Sequence, residues 1–129
     1  PPLLPSDPVA AAKVRAAALL IATEIHPVNN LKVVGKLKAL GHGLDEATAW
    51  MVDWMERGLT AYQTLIPQAE FSFGDAPSLA DICLVAQLYN AHRWGVDLTP
   101  FGRLTEIEAR CLALPAFDAA RPENQPDAV

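Results

Sequence analysis

The chain has 129 residues, and 51% of them are hydrophobic, which suits one domain with a real core. Ten Lys and Arg against fifteen Asp and Glu give a net charge of −5, which argues against nucleic acid or an anionic membrane surface as a partner. Two cysteines are too few for a disulfide framework, no His–Cys spacing suggests a metal, and no stretch reads as a signal peptide or membrane span, so the cytoplasm is the default expectation.

Residues 1–6, opening Pro1-Pro2-Leu3-Leu4-Pro5, read as an extended connector, the tail end of a linker from something longer. Asp7 followed by Pro8 is a helix start, an N-cap and then Pro at the first helical position. The Ala- and Leu-rich run from Val9 to Ile25 continues it, with Val14, Leu19, Leu20 and Ile21 on an apolar side. Pro27 lacks an N–H and its ring clashes with the Thr23 carbonyl, so this helix is expected to kink or end near His26. A short helix from about Leu31 to Leu40 carries Lys32, Lys36 and Lys38 outward, and Gly41-His42-Gly43 stops it.

Leu44-Asp45-Glu46 opens a long helix with acid in its first turn. Trp50, Trp54, Gly58, Ala61 and Leu65 recur every three or four residues and predict a buried face, widened by Met51, Met55 and Leu59. The Trp50/Trp54 pair is therefore expected in the core. Asp53, Glu56, Arg57 and Gln63 point away, and Pro67 ends the helix.

The next helix organises the chain. Gly74 and Pro77 punctuate a loop, Ser78 is an N-cap, and Asp81 three residues on can reach back to the Ser78 N–H to close a capping box. Ile82, Cys83, Leu84, Val85, Ala86 and Leu88 then cover every direction of a helical wheel, so a buried central helix is expected over about 78–94. Cys83, and Cys111 further on, read as small buried hydrophobes. A loop at Val96–Pro100, a helix from Leu104 to Leu114 with Ile107 and Cys111 inward, and a last short helix begun by Pro115 complete residues 7–121. Residues 122–129 are polar and Pro-rich and are expected to be an extended tail. No strand pattern is visible. The fold expected is all-α, five or six helices in one domain.

No catalytic constellation stands alone in the sequence. His26 and Asn30 are four apart, so a helix continuing past Pro27 would put them on one face beside the kink, either lining a cleft or simply crowding a helix end. Arg93 is either a cation complementing the end of the central helix or a guanidinium that binds a carboxylate. His42 and His92 read as surface histidines.

Gly74-Asp75 followed by Ser78-Leu79-Ala80-Asp81 resembles the start of the central helix in the C-terminal domain of glutathione transferases. Asn90-Ala91-His92-Arg93-Trp94, Val96-Asp97-Leu98-Thr99-Pro100-Phe101 and Gln125-Pro126-Asp127, with Ile25-His26-Pro27-Val28-Asn29-Asn30-Leu31, resemble the zeta class, the maleylacetoacetate and maleylpyruvate isomerases, over nearly the whole chain. The resemblance implies a glutathione-transferase C-terminal helical bundle and glutathione as cofactor. It implies cis–trans isomerisation of a diketo acid in aromatic-compound breakdown, with the glutathione thiolate as nucleophile. The nucleophile is activated by an N-terminal thioredoxin-like domain that this chain lacks, so no catalytic residue is expected here and the chain alone is expected to be inactive. By position, His26, Asn30 and Leu31 match the segment that contacts glutathione. Arg93 matches the basic residue that holds a substrate carboxylate or the developing enolate, and His26 and Lys32 stand beside the substrate. A homodimer is also implied. Two rival functions remain at this point: a general glutathione transferase conjugating electrophiles, and a non-enzymatic helical interaction module.

Overall fold

Asp7 starts the first helix as its sequence position predicts. Its carboxylate accepts the Ala10 N–H at 2.7 Å, Pro8 takes the first helical position, and α1 spans Pro8–Leu19. The structure, a computed structural model, describes residues 2–128. Leu20–Ile25 continue α1 as a π turn, in which the His26 N–H donates to the Ile21 carbonyl five residues back at 3.0 Å. The Thr23 hydroxyl supplies a further donor to the Leu19 carbonyl at 2.8 Å, at the junction of the two windings. The winding stops at His26, where Pro27 has no N–H to continue it.

The remaining helices are α2 Leu31–Ala39, α3 Leu44–Leu65, α4 Leu79–Trp94, α5 Gly102–Leu112 and α6 Pro115–Ala119, with single 3-10 turns at Thr99–Phe101 and Pro122–Asn124. No strand occurs among the described residues. Gly41 ends α2 at φ 94° and Gly95 ends α4 at φ 71°, both in the left-handed region that glycine enters without strain.

Helix α4 lies at the centre, packed by α1, α3 and α5. Its capping box forms, and Asp81 does more than cap. The fully buried Asp81 carboxylate accepts the Ser78 N–H at 2.7 Å, the Ser78 hydroxyl at 2.7 Å and the Ser72 N–H at 2.8 Å. Ser72 in turn meets the buried Tyr62 hydroxyl at 2.8 Å, so one carboxylate ties the loop before α4 to α3. Arg103 and Arg110 of α5 fasten the same loop by donating to the Pro67 and Glu70 carbonyls. The Leu3 carbonyl accepts the Leu79 N–H at 2.9 Å, and Leu4 packs on the core, so the connector is docked at the head of α4.

Three expectations need correction. The core face of α3 is Ala47, Met51, Met55, Leu59 and Tyr62; the Met51, Met55 and Leu59 flank is buried as expected, whereas the Trp50/Trp54 stripe lies one residue round from the centre of the face. Trp50 is 37% exposed and Trp54 half-buried; their rings meet at 5.9 Å, with the Arg57 guanidinium 5.9 Å above Trp54. Trp50 stays at the edge because its indole N–H has a partner there, the Val28 carbonyl at 3.0 Å.

Helix α4 is also not buried all round. Ile82 is 41% exposed and Tyr89 39% exposed, because the side away from α1 and α3 opens on a cleft of about 820 Å³ floored by Ile82, Val85, Ala86, Leu112 and Phe117.

The third correction concerns the tail, which folds back instead of extending. Glu123 accepts from the Tyr89 hydroxyl at 2.9 Å, Asn124 donates to the Asp118 carbonyl, and Gln125 donates to the Ala119 and Arg121 carbonyls. Side-chain amides supply the donors that Pro122 cannot.

Candidate functional site

The residues singled out in the sequence fall into two places. The first is the connection from the π turn to α2. Pro27 forces the chain out of the helix, and the Val28 and Asn29 N–H groups close a turn on the Ile25 carbonyl at 3.1 and 2.9 Å. His26 and Asn30 therefore do not share a helix face. His26 caps the π turn, whereas Asn30 is extended at φ −91°, ψ 146° and caps α2 by accepting the Lys32 N–H at 3.0 Å. Burial holds the half-buried His26 imidazole below its ordinary pKa, so the ring is neutral at pH 7. Its Nε2 is buried with no hydrogen-bond partner among the described residues. Leu31, at the first position of α2, is 64% exposed, and Lys32 beside it is exposed.

The sequence reading passed over Asn29, the most buried polar group here. At 8% exposure it donates from Nδ2 to the Met51 carbonyl at 3.1 Å and approaches the Met51 sulfur at 3.5 Å. Ile25 seats on Gly58, where α3 has no side chain to obstruct it. The connection is thus pinned to α3 at three points: Asn29 on Met51, Val28 under Trp50, and Ile25 on Gly58.

The second place is the end of α4. Arg93 is exposed and makes no ion pair or hydrogen bond among the described residues. It lies on the same side of α4 as Ile82, Ala86 and Tyr89, at spacings of four, three and four. Its charge acts on Tyr89, whose hydroxyl pKa is nonetheless raised, chiefly by the hydrogen bond to Glu123. No hydrogen bond or ion pair joins Arg93 to His26, Asn30 or Lys32 among the described residues. His92, read as a surface histidine, meets Glu108 of α5 at 3.0 Å, and Glu108 is 8% exposed. That pair spans two helices and leaves no trace in local sequence.

No protein-family profile matches the chain. The chain is 42% identical over 127 residues to a maleylacetoacetate isomerase of Pseudomonas aeruginosa. It superposes over its full length on the crystal structure of a maleylpyruvate isomerase from Pseudomonas aeruginosa PAO1, with 43% identity, a TM-score of 0.94 and 69% of that chain covered. The chain belongs to the maleylacetoacetate/maleylpyruvate isomerase family of zeta-class glutathione transferases. Another solved member, a maleylacetoacetate isomerase from Anaeromyxobacter dehalogenans with glutathione bound in its active site, superposes with 41% identity and a TM-score of 0.95, again over the whole chain and 60% of its own length. The match takes in 98% of this chain and 60% of the curated Pseudomonas isomerase, so the chain spans about three fifths of that relative's length. Among the described residues no helix is long and apolar enough to cross a membrane.

Proposed function

We propose that this chain is the substrate-side helical domain of a glutathione-dependent cis–trans isomerase acting on maleylacetoacetate or maleylpyruvate. The observation that carries the proposal is the end-to-end kinship with isomerases of this substrate class, one of them solved with glutathione in place. In the complete protein an N-terminal thioredoxin-like domain holds the cofactor, the assembly is a cytoplasmic homodimer, and the present chain alone does not turn over.

The residues of the π-turn connection suit a small anionic peptide. Asn30 commits only its oxygen to α2 and keeps its amide donors. Leu31 offers an exposed apolar contact and Lys32 a cation, at the positive end of the α2 dipole. The His26 ring is neutral, so it adds no second charge there. Glutathione, when bound, supplies the nucleophilic thiolate. This chain's part is to hold the substrate. Arg93 binds one carboxylate of the diketo acid as a planar fork, and the same guanidinium stabilises negative charge that develops between the carboxylates. Lys32, on the connection pinned to α3, contributes a point charge without bidentate geometry.

The test is a comparison of substrates with the complete protein and glutathione. Rapid isomerisation of a maleyl keto acid with slow conjugation of a chlorinated aromatic is the expected result. Fast conjugation without isomerisation would make the protein a general transferase instead.

A further inference from the structure

Trp50 and Asn29 take no part in the reaction just described, yet they are the two side chains that bridge α3 and the connection carrying His26. We propose that both are positioning residues, which fix the His26–Lys32 segment in the conformation that receives glutathione. The proposal rests on the ligand-facing reading of that segment given above.

The two bridges are reciprocal. Trp50 of α3 donates its indole N–H to the backbone carbonyl of Val28, and Asn29 of the connection donates its amide to the backbone carbonyl of Met51. Each spans 22 residues, so neither is a by-product of a local turn. Seven residues further along α3, about 10 Å of helix, Gly58 receives Ile25. The connection between Ile25 and Leu31 has little of its own to hold it. Pro27 offers no donor, and the two turn bonds both end on the single Ile25 carbonyl. Without the bridges its backbone would have to be ordered each time a ligand bound, which weakens binding without touching the chemistry. A loop fixed by a rigid helix is the arrangement expected where a loop carries ligand contacts.

Trp50 also explains itself poorly in any other way. An indole left 37% exposed, with its only donor aimed at a neighbouring loop, adds less to the core than its size allows. The effect expected is on binding and not on turnover, because the thiol is activated outside this chain.

The experiment uses Trp50→Phe, which keeps an aromatic ring and removes the donor. In the complete protein the variant is expected to raise the glutathione KM about fivefold with kcat nearly unchanged, the factor corresponding to one lost hydrogen bond of ordinary net strength. In the 129-residue chain, NMR titration of the three histidines should show His26 alone moving up toward about 6.5, as its ring gains access to water. An unchanged glutathione KM together with an unchanged His26 titration overturns the proposal, whether or not the melting temperature falls. His26→Ala separates the two ideas. If it leaves the glutathione KM unchanged, the ligand-facing reading fails, and the titration still decides whether Trp50 fixes the segment.

Discussion

Gly58 and Ile25 lie so close that no side chain fits between them: a Cβ on Gly58 would stand 2.2 Å from Ile25 Cδ1 and 2.4 Å from its Cγ1. Ile25 is 1% exposed and cannot swing away without opening the core. Replacing a helical Gly by Ala ordinarily gains up to about 1 kcal/mol, whereas overpacking a filled site costs about 1–3 kcal/mol. The steric effect is the larger. Gly58→Ala should therefore lower stability by about 1–2 kcal/mol in urea melts. Ile25→Ala removes both clashing atoms, Cδ1 and Cγ1, so the double variant should be more stable than the sum of the two losses predicts. A Gly58→Ala protein more stable than wild type would show that the close approach is not maintained.

Asp81 accepts three hydrogen bonds in a fully buried setting, two of them from backbone N–H groups that have no alternative in the structure. Asp81→Ala leaves those donors stranded and should cost about 3 kcal/mol or more. Ser78→Ala removes only the hydroxyl and should cost about 1 kcal/mol. Equal midpoints for the two variants in urea would contradict the hub role assigned to the carboxylate.

Stability should depend on pH through His26. Its folded pKa is depressed by burial, so the folded state takes up its proton later than the unfolded chain does. The unfolded chain therefore binds more protons in the window from about 6.5 down to the lowered folded value, and stability falls as pH falls through that window. His26→Gln should flatten this part of the profile. Melting curves between pH 7.5 and 5 check it, and an identical slope in the variant would place the titration elsewhere.

Gln87 sits on α4 with 0% exposure, and neither atom of its amide has a partner among the described residues. A buried amide without partners destabilises the fold, while an apolar group of similar shape does not. Gln87→Met should leave stability unchanged or raise it by about 1 kcal/mol or more. A clear loss in a urea melt would mean that the amide is hydrogen-bonded in solution.

What was legible in the sequence was local chemistry. Asp7 with Pro8, Ser78 with Asp81, Gly41 and Pro115 each act within four residues, and each starts or stops a helix where expected. Met51, Met55 and Leu59 were legible as buried, but which stripe of α3 is central was not, because Trp50/Trp54/Gly58/Ala61 and Met51/Met55/Leu59/Tyr62 are both apolar at helical spacing, one residue apart. What separates them is long-range: Tyr62 finds Ser72, and Trp50 finds Val28. The candidate site shows the same division. Asn30 stands out by its spacing from His26, but its side-chain oxygen caps α2, while the buried anchor is its neighbour Asn29. The ordered tail depends on Tyr89 meeting Glu123 across 34 residues, which no local pattern reports.

In the proposed function this domain supplies the substrate-holding charge, and Arg93 is the residue that carries it. Its guanidinium has no partner among the described residues that its loss would strand, so Arg93→Met should leave the melting temperature nearly unchanged. The measurement is kcat/KM for glutathione-dependent isomerisation of maleylpyruvate or maleylacetoacetate by the complete protein, with and without that substitution. A fall of about 100-fold is predicted, the scale of losing one preorganised charge contact, with partial recovery in Arg93→Lys. An unchanged kcat/KM in Arg93→Met would mean that Arg93 does not hold the substrate.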